Sequence, residues 1–370
     1  MARKVWSGKY VEGHVMNVGI PVELKQGEGR VSLTPSAVSD LILAGATVFI
    51  ESQAGVKSGY LDEQYLCAGA TVVNDQAALY ESSQLIVKVK EPLLEELPYI
   101  TRKHALFCYL HLAANGHLVK AFSGIGNTAI AFELVESAGS YPLLAPMSDI
   151  AGKVAIQLGM HYLMSVNGGL GILLEGGYGA ERANVVVLGG GVAGFSAASR
   201  AASIGANVTV FDIKTGVLKR ANALGANVSG LYFQSQVVAE YVKNADLVVG
   251  AVLVPGKSPP VVLPESLLDQ MKQGSVVIDI AIDQGGCVEG IKATTHGNPC
   301  YQRNGVQMLA VTNLPGAVPK TATQSLSGAI LPYVRSIVGC HKACGGLDEV
   351  AVQEIEGLSN AVCIKNGHIE

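Results

Sequence analysis

The sequence predicts an α/β protein of two domains, each built on a mainly parallel sheet. Its 370 residues exceed what one ordinary hydrophobic core holds. A helix-to-strand phrase recurs on both sides of residue 150, as Gly45-Ala-Thr-Val, Gly69-Ala-Thr-Val, Gly205-Ala-Asn-Val and Gly225-Ala-Asn-Val. In each, an apolar-periodic segment ends at a glycine able to take the left-handed C-cap conformation, and β-branched residues follow. Helix and strand therefore alternate in both halves, which argues for doubly wound layers.

In the first half, strands are expected at 17–20, 47–51, 85–90, 105–110 and 129–132. Thr34-Pro35 supplies an N-cap followed by proline at the first helical position, so a helix runs from there to about residue 44. In the second half, an apolar run at 185–188 breaks into Gly189, Gly191 and Gly194. A helix then covers 195–204, and a strand at 208–211 ends in Asp212. Further strands are expected at 247–252 and 275–282, with the proline-rich stretch 255–260 a loop. Residues 323–338 have a helical pattern that the sequence does not assign to either domain. The glycine-dense stretch 168–179 is expected to be movable.

The glycine spacing G-x-G-x-x-G is weak alone. Between a buried strand and a helix, with an acid at the end of the next strand, it reads as a dinucleotide-binding fingerprint of Rossmann type. Gly189 permits the tight turn, Gly191 lets a pyrophosphate approach the backbone, and Gly194 lets the helix pack closely on the sheet. The helix N-terminus, at Val192 and Ala193, offers N–H groups to phosphate. Asp212 stands where a carboxylate accepts both ribose hydroxyls and repels a 2′-phosphate, so the cofactor expected is NAD. Lys214 is the one neighbour that softens this preference.

Composition narrows the partners. Net charge is −4, hydrophobic residues make up 49%, charged residues only 15%, and no basic block appears. Disorder and a nucleic-acid partner are both excluded on these grounds, leaving a small molecule. The first residues hold no signal-like apolar core and no stretch suits a bilayer span, so no membrane partner is expected. Seven scattered cysteines, an odd number, fit a reduced, cytoplasmic chain. Cys340, His341 and Cys344 lack a second ligand pair at zinc spacing, so no metal is expected.

In open parallel sheets ligands bind beyond the carboxyl ends of strands. Lys90 closes the run Leu85-Ile-Val-Lys-Val-Lys, His111 follows Ala105 to Leu110, and Asp283 follows Val276 to Ile282. Arg30 lies on the loop after the first strand. Singly, each has an ordinary reading as a solvated charge or a hydrogen-bonded structural residue. Asp279, four residues before Asp283, reads as a mid-strand, paired buried acid. Together, two cations, an imidazole and a carboxylate beside a dinucleotide site are the equipment for hydride transfer on a small carboxylate.

From about Val18 to Gly367 the chain resembles the alanine dehydrogenases. The strings that carry the resemblance are Gly19-Ile-Pro-Val-Glu-Leu-Lys25 with Arg30-Val-Ser-Leu-Thr-Pro; Val87-Lys-Val-Lys90-Glu-Pro; Tyr109-Leu-His111-Leu-Ala-Ala; Leu144-Ala-Pro-Met-Ser148; Gly250-Ala-Val-Leu-Val-Pro-Gly; Asp279-Ile-Ala-Ile-Asp283-Gln-Gly-Gly-Cys; and Asn313-Leu-Pro-Gly-Ala-Val-Pro-Lys-Thr. The resemblance implies NAD-dependent oxidative deamination of L-alanine to pyruvate and ammonium, reversibly. It implies that Arg30 and Lys90 bind substrate, that His111 and Asp283 are catalytic, and that Ser148, Asp212 and Asn313 contact cofactor. A ribose-contacting serine of the family falls near Phe233 or Ser235.

The resemblance further implies a discontinuous substrate domain, at 1–142 and 320–370, around an NAD-binding domain at 143–319. A homo-oligomer, commonly a hexamer, goes with it. The alternatives are the NAD-binding subunit of a transhydrogenase-type protein and a catalytically silent NAD-binding protein. With the substrate cations expected on one domain and the fingerprint on the other, a cleft that closes on cofactor is expected.

Overall fold

A computed structural model describes residues 15–112, 115–253, 258–344 and 352–369. The chain divides into two compact units. One runs to Pro146 and resumes at Val318, and the other is Met147–Ala317.

The first unit contains β1 (Asn17–Ile20), β2 (Thr47–Glu51), β3 (Thr71–Val73), β4 (Leu85–Val87), β5 (Ala105–Cys108) and β6 (Thr128–Ala131). The second contains β7 (Asn184–Leu188), β8 (Asn207–Asp212), β9 (Val228–Tyr232), β10 (Leu247–Gly250), β11 (Val276–Asp279), β12 (Cys300–Arg303) and β13 (Val306–Leu309). The last two strands, β14 (Val362–Lys365) and β15 (His368–Ile369), return to the first sheet.

Strand order in the first sheet is β15-β14-β6-β5-β4-β1-β2-β3, and in the second β12-β13-β11-β10-β7-β8-β9. Omitting the antiparallel additions, both follow the doubly wound order 3-2-1-4-5-6, so both belong to the Rossmann-like class. The order reverses between β1 and β4 in one unit and between β7 and β10 in the other. Strand β14 pairs antiparallel onto β6 and β15 antiparallel onto β14, which makes the first unit discontinuous in sequence.

Strands β4, β5, β6, β10, β11 and β13 are buried at every position, as parallel strands covered on both faces must be. Each unit has its own core. One gathers Leu79, Leu106, Phe122 and Ile364, the other Val186, Phe211, Val248 and Met308.

The helix-to-strand phrases behave as expected at Gly45, Gly69 and Gly205, with φ of 97°, 94° and 118°. Gly225 differs: helix Thr215–Asn222 already ends at Ala223 in right-handed conformation, so the glycine lies in the following turn without positive φ. Helix Pro319–Cys344 packs in the first unit, where Thr323 Oγ1 accepts the Val31 N–H at 3.0 Å and Ser327 Oγ the Thr34 N–H at 3.0 Å. Residues 254–257 of the expected proline loop lie outside the described residues. Among the described residues, no helix is long and apolar enough to cross a membrane.

Several strands are shorter than their apolar runs suggest. Strand β4 stops at Val87 rather than residue 90, and β5 at Cys108 rather than 110. Strand β10 stops at Gly250 rather than 252, whereas β6 keeps its expected length and is shifted by one residue, to 128–131 from 129–132. Strand β11 stops at Asp279, and Ile280–Gln284 forms a 3₁₀ turn. Asp279 causes that stop. Its carboxylate accepts the N–H groups of Ala281 (2.9 Å), Cys287 (2.7 Å) and Val288 (2.9 Å), offering the backbone an alternative to the ladder. It is therefore a paired buried acid, as expected, but its partners are backbone donors and it stands at the end of the strand rather than in its middle.

Candidate active site

In the first unit, the residues beyond β1 and β4 meet where the strand order reverses. Arg30 is almost fully buried; its Nε and Nη2 donate to Glu28 at 2.7 and 2.5 Å, and its own N–H reaches the same carboxylate at 2.9 Å. Burial opposes ionisation of Glu28. The Arg30 hydrogen bonds and charge outweigh it and hold the carboxyl down at about 2, with Lys90 adding to the pull. Glu28 thus feels both predicted substrate cations, which places them around one carboxylate.

Lys90 lies beyond the strand, in a bend at 89–90, and is mostly buried. Its N–H and that of Val89 both donate to Glu23, at 3.2 and 2.5 Å. Lys88, two residues earlier, is fully buried and donates to Glu96 at 2.5 Å. In a straight strand residues two apart share a face, so it is the bend at 89–90 that gives the two lysines such different surroundings.

His111 holds a left-handed backbone, φ 46°, rare for a residue with a side chain. Glu133, on the 3₁₀ turn Phe132–Leu134 after β6, fixes it by accepting the His111 N–H at 2.6 Å and the Leu110 N–H at 3.2 Å. The His111 Nδ1 lies 4.0 Å from the same carboxylate. The imidazole stacks on Tyr109, rings 5.9 Å apart and 7° from parallel. Tyr109 donates to Leu143 O at 2.6 Å, and its charge environment includes Arg30 and Glu133. Arg30, Lys90 and His111 are thereby linked through Glu28, Tyr109 and Glu133.

In the second unit the glycine turn follows β7. Gly189 has φ 93°, and a Cβ there would come 2.9 Å from Ala251 O at the exit of β10. A Cβ on Gly194 would sit 1.8 Å from Gly189 O, so turn and helix Val192–Ile204 touch through backbone alone. At Gly191 a Cβ would meet nothing within 4 Å. The first helical hydrogen bond runs from Phe195 N–H to Gly191 O at 2.8 Å, and Gly191 supplies no side-chain cap. The earlier N–H groups of Val192, Ala193 and Gly194 therefore have no partner one helical turn back. An open approach at Gly191 and this run of donors fit a dinucleotide diphosphate.

Asp212 closes β8 and bridges the motif. Its Oδ2 accepts the Gly190 N–H and its Oδ1 the Lys214 N–H, both at 2.8 Å. Ser148 is half-buried on helix Leu144–Leu163, one turn before Gly152, where a Cβ would strike Ala193 O at 2.2 Å. The absent side chain brings this helix against the start of the glycine-motif helix. Asp283 accepts the Asn313 N–H at 3.2 and 3.3 Å, so two residues thirty positions apart in sequence share one corner. Asn313 itself takes a left-handed φ of 59° and its carbonyl contacts His296 Nε2 at 3.0 Å.

Sequence reasoning missed Glu23, Glu28, Tyr109 and Glu133. Glu28 sits two residues before Arg30 and Tyr109 two before His111, a spacing that an extended backbone turns to the same side; nothing local pointed to Glu133, 22 residues after its partner.

The family model described as "Alanine dehydrogenase/PNT, N-terminal domain" matches residues 19–151, and that described as "Alanine dehydrogenase/PNT, C-terminal domain" matches 155–370. The chain belongs to the alanine dehydrogenase/PNT family. It is 42% identical over 356 residues to the alanine dehydrogenase of Bacillus subtilis (strain 168), covering 96% of this chain and 92% of that one. It is 43% identical over 348 residues to that of Mycolicibacterium smegmatis, covering 93% of each. Among solved structures, an L-alanine dehydrogenase superposes with TM-score 0.89 at 43% identity over 96% of both chains. The transhydrogenase from Sinorhizobium meliloti superposes with TM-score 0.80 at 24% identity, over 95% of this chain and 98% of that one, a likeness of fold.

Proposed function

We propose that this chain catalyses the reversible, NAD-dependent oxidative deamination of L-alanine to pyruvate and ammonium. The observation that carries it is family membership at 42% identity over nearly the whole chain. The linked Arg30, Lys90 and His111 suit an amino-acid substrate and are not needed by a transhydrogenase subunit or a silent NAD-binding protein.

Arg30 and Lys90 draw in the substrate carboxylate, Arg30 as a rigid fork braced by Glu28. Lys90 polarises the carbonyl of pyruvate in the reverse direction. Gly189 to Gly194, Ser148, Asp212 and Asn313 would hold NAD, which would supply the acceptor for the Cα hydride of alanine and so leave the substrate as its imine. His111, with Nδ1 toward Glu133, uses Nε2 to take the proton of the water that attacks the imine carbon. Asp283 is the second acid/base group. The bond formed is C–O, the bond finally broken is C–N, and the leaving amine departs as ammonium. By analogy with the family, the protein works in the cytoplasm as a homohexamer.

The test is absorbance of NADH during incubation with L-alanine and NAD. Formation of NADH and pyruvate in equal amounts is expected; no NADH from L-alanine, with NAD binding intact, would leave the silent-protein reading instead.

A further inference from the structure

Two sequence strings near the substrate cations have parts without a role so far: Gly19-Ile-Pro-Val-Glu23-Leu-Lys25 and Val87-Lys88-Val-Lys90-Glu91. In the structure they grip each other. Glu23 accepts the N–H groups of Val89 and Lys90, and Lys25 Nζ donates to Glu91 at 2.5 Å, so the bend that carries Lys90 is held from both ends by the segment after β1.

The grip replaces a sheet that has run out. Strand β1 pairs with β4 only at Val18 with Leu85 and Gly19 with Ile86. On its other side the segment still follows β5, with Lys88 N–H to Phe107 O at 3.2 Å and Tyr109 N–H to Val89 O at 3.0 Å. In a straight strand, consecutive N–H groups point to opposite neighbours. Here those of Val89 and Lys90 converge on one carboxylate, so Glu23 imposes the bend that ends the strand before Lys90.

Beneath it, Lys88 is fully buried between Glu96 at 2.5 Å and Glu23 at 3.9 Å. Glu96 in turn accepts the Leu93 N–H at 2.8 Å and Tyr80 Oη lies 3.2 Å away. A buried ion cluster of this kind costs desolvation and is a poor source of stability, whereas it fixes geometry well.

We propose that Glu23 and Lys25 are positioning residues for Lys90, a clasp that sets where its ammonium meets the substrate carbonyl. This rests on Lys90 being a substrate-binding residue. A purely structural clasp would change stability and leave substrate affinity alone; a positioning clasp changes the KM for pyruvate and alanine while cofactor binding, which uses the other unit, stays put.

The test uses the full chain carrying Glu23→Gln, Lys25→Met or Lys90→Ala. NADH affinity is followed by fluorescence, with steady-state kinetics in both directions and thermal melting alongside. Gln keeps the volume of Glu23 yet presents one acceptor where two N–H groups converge. Glu23→Gln is expected to raise the KM for pyruvate about 10-fold or more, given what small misplacements cost. NADH affinity should stay within about twofold. Lys25→Met should shift KM the same way by about threefold, its contact being half-exposed. A folded Glu23→Gln with unchanged KM, alongside an inactive Lys90→Ala, overturns the clasp alone. A fully active Lys90→Ala overturns the substrate role of Lys90 and the clasp together. If Glu23→Gln does not fold, an unchanged KM in Lys25→Met decides against the clasp, and a raised KM supports it.

Discussion

The carboxylate of Glu133 accepts the backbone N–H of His111 at 2.6 Å and so holds the histidine in a left-handed conformation. A β-branched or bulky residue pays for such a φ; a histidine held by a carboxylate at its own N–H tolerates it. The conformation turns the imidazole flat against Tyr109 and points Nδ1 toward the same carboxylate.

Glu133→Ala removes that acceptor, leaving two N–H groups short of a partner at a cost of about 1–3 kcal/mol. It is expected to lower kcat by about 10-fold or more through loss of imidazole placement, while His111→Ala loses about 100-fold or more. Glu133→Gln, which keeps one acceptor, should recover part of the loss. A Glu133→Ala enzyme that is destabilised yet turns over normally would show that the carboxylate supports the loop and not the acid/base group.

The glycine turn was legible in the sequence because each glycine answers a backbone demand within a few residues. The substrate side was legible only as residue types. Lys88 and Lys90 look equivalent in the run Val-Lys-Val-Lys, and only Glu23, 67 positions before Lys90, and Glu96, eight after Lys88, decide which is buried in an ion cluster and which follows the bend. Apolar runs overstate strand length at 85–90 and 275–282 because carboxylates of Glu23 and Asp279 capture backbone donors there. The antiparallel strands β12, β14 and β15 escape a reading based on repeated helix-to-strand phrases, since no such phrase precedes them.

Asp212 should govern cofactor choice in two ways. Its carboxylate faces the ribose in the proposed mode and also fastens Gly190 and Lys214. Asp212→Asn keeps one acceptor and removes the charge. Its preference for NAD over NADP, as a ratio of kcat/KM, should fall by about 10-fold or more. An unchanged ratio means that the carboxylate serves the turn and not the ribose.

Glu28 and Glu23 should give opposite pH dependences of stability. Glu28 has its folded value held at about 2 from an ordinary 4.5, so its contribution is present above 4.5 and is lost as pH falls through about 2. That drop corresponds to about 3 kcal/mol. Burial pushes Glu23 up to about 7, against the pull of Lys88 and with Glu28 and Glu96 raising it further. Its contribution is full below 4.5 and is lost as pH rises through about 7. Urea midpoints of wild type against Glu28→Gln should converge toward pH 2. Glu23→Gln should gain on wild type between pH 4.5 and 7 and hold the gain above it. Parallel curves for either pair across these windows would refute the assignment.

Gly191 and Gly194 separate ligand space from packing space. At Gly194 an added methyl meets Gly189 O at 1.8 Å, backbone against backbone, so Gly194→Ala should cost about 1–3 kcal/mol or more and lower the melting temperature. At Gly191 the methyl meets nothing within 4 Å, and the residue's φ of −60° suits alanine. Gly191→Ala should therefore melt at or slightly above the wild-type temperature, since alanine restricts the unfolded chain. If the open space belongs to the dinucleotide diphosphate, the same variant should bind NADH about 10-fold or more weakly, because the methyl holds the phosphates off the helix N-terminus. Fluorescence titration beside calorimetry separates the two effects: a Gly191→Ala protein that melts normally and binds NADH as tightly as wild type would move the phosphate site elsewhere.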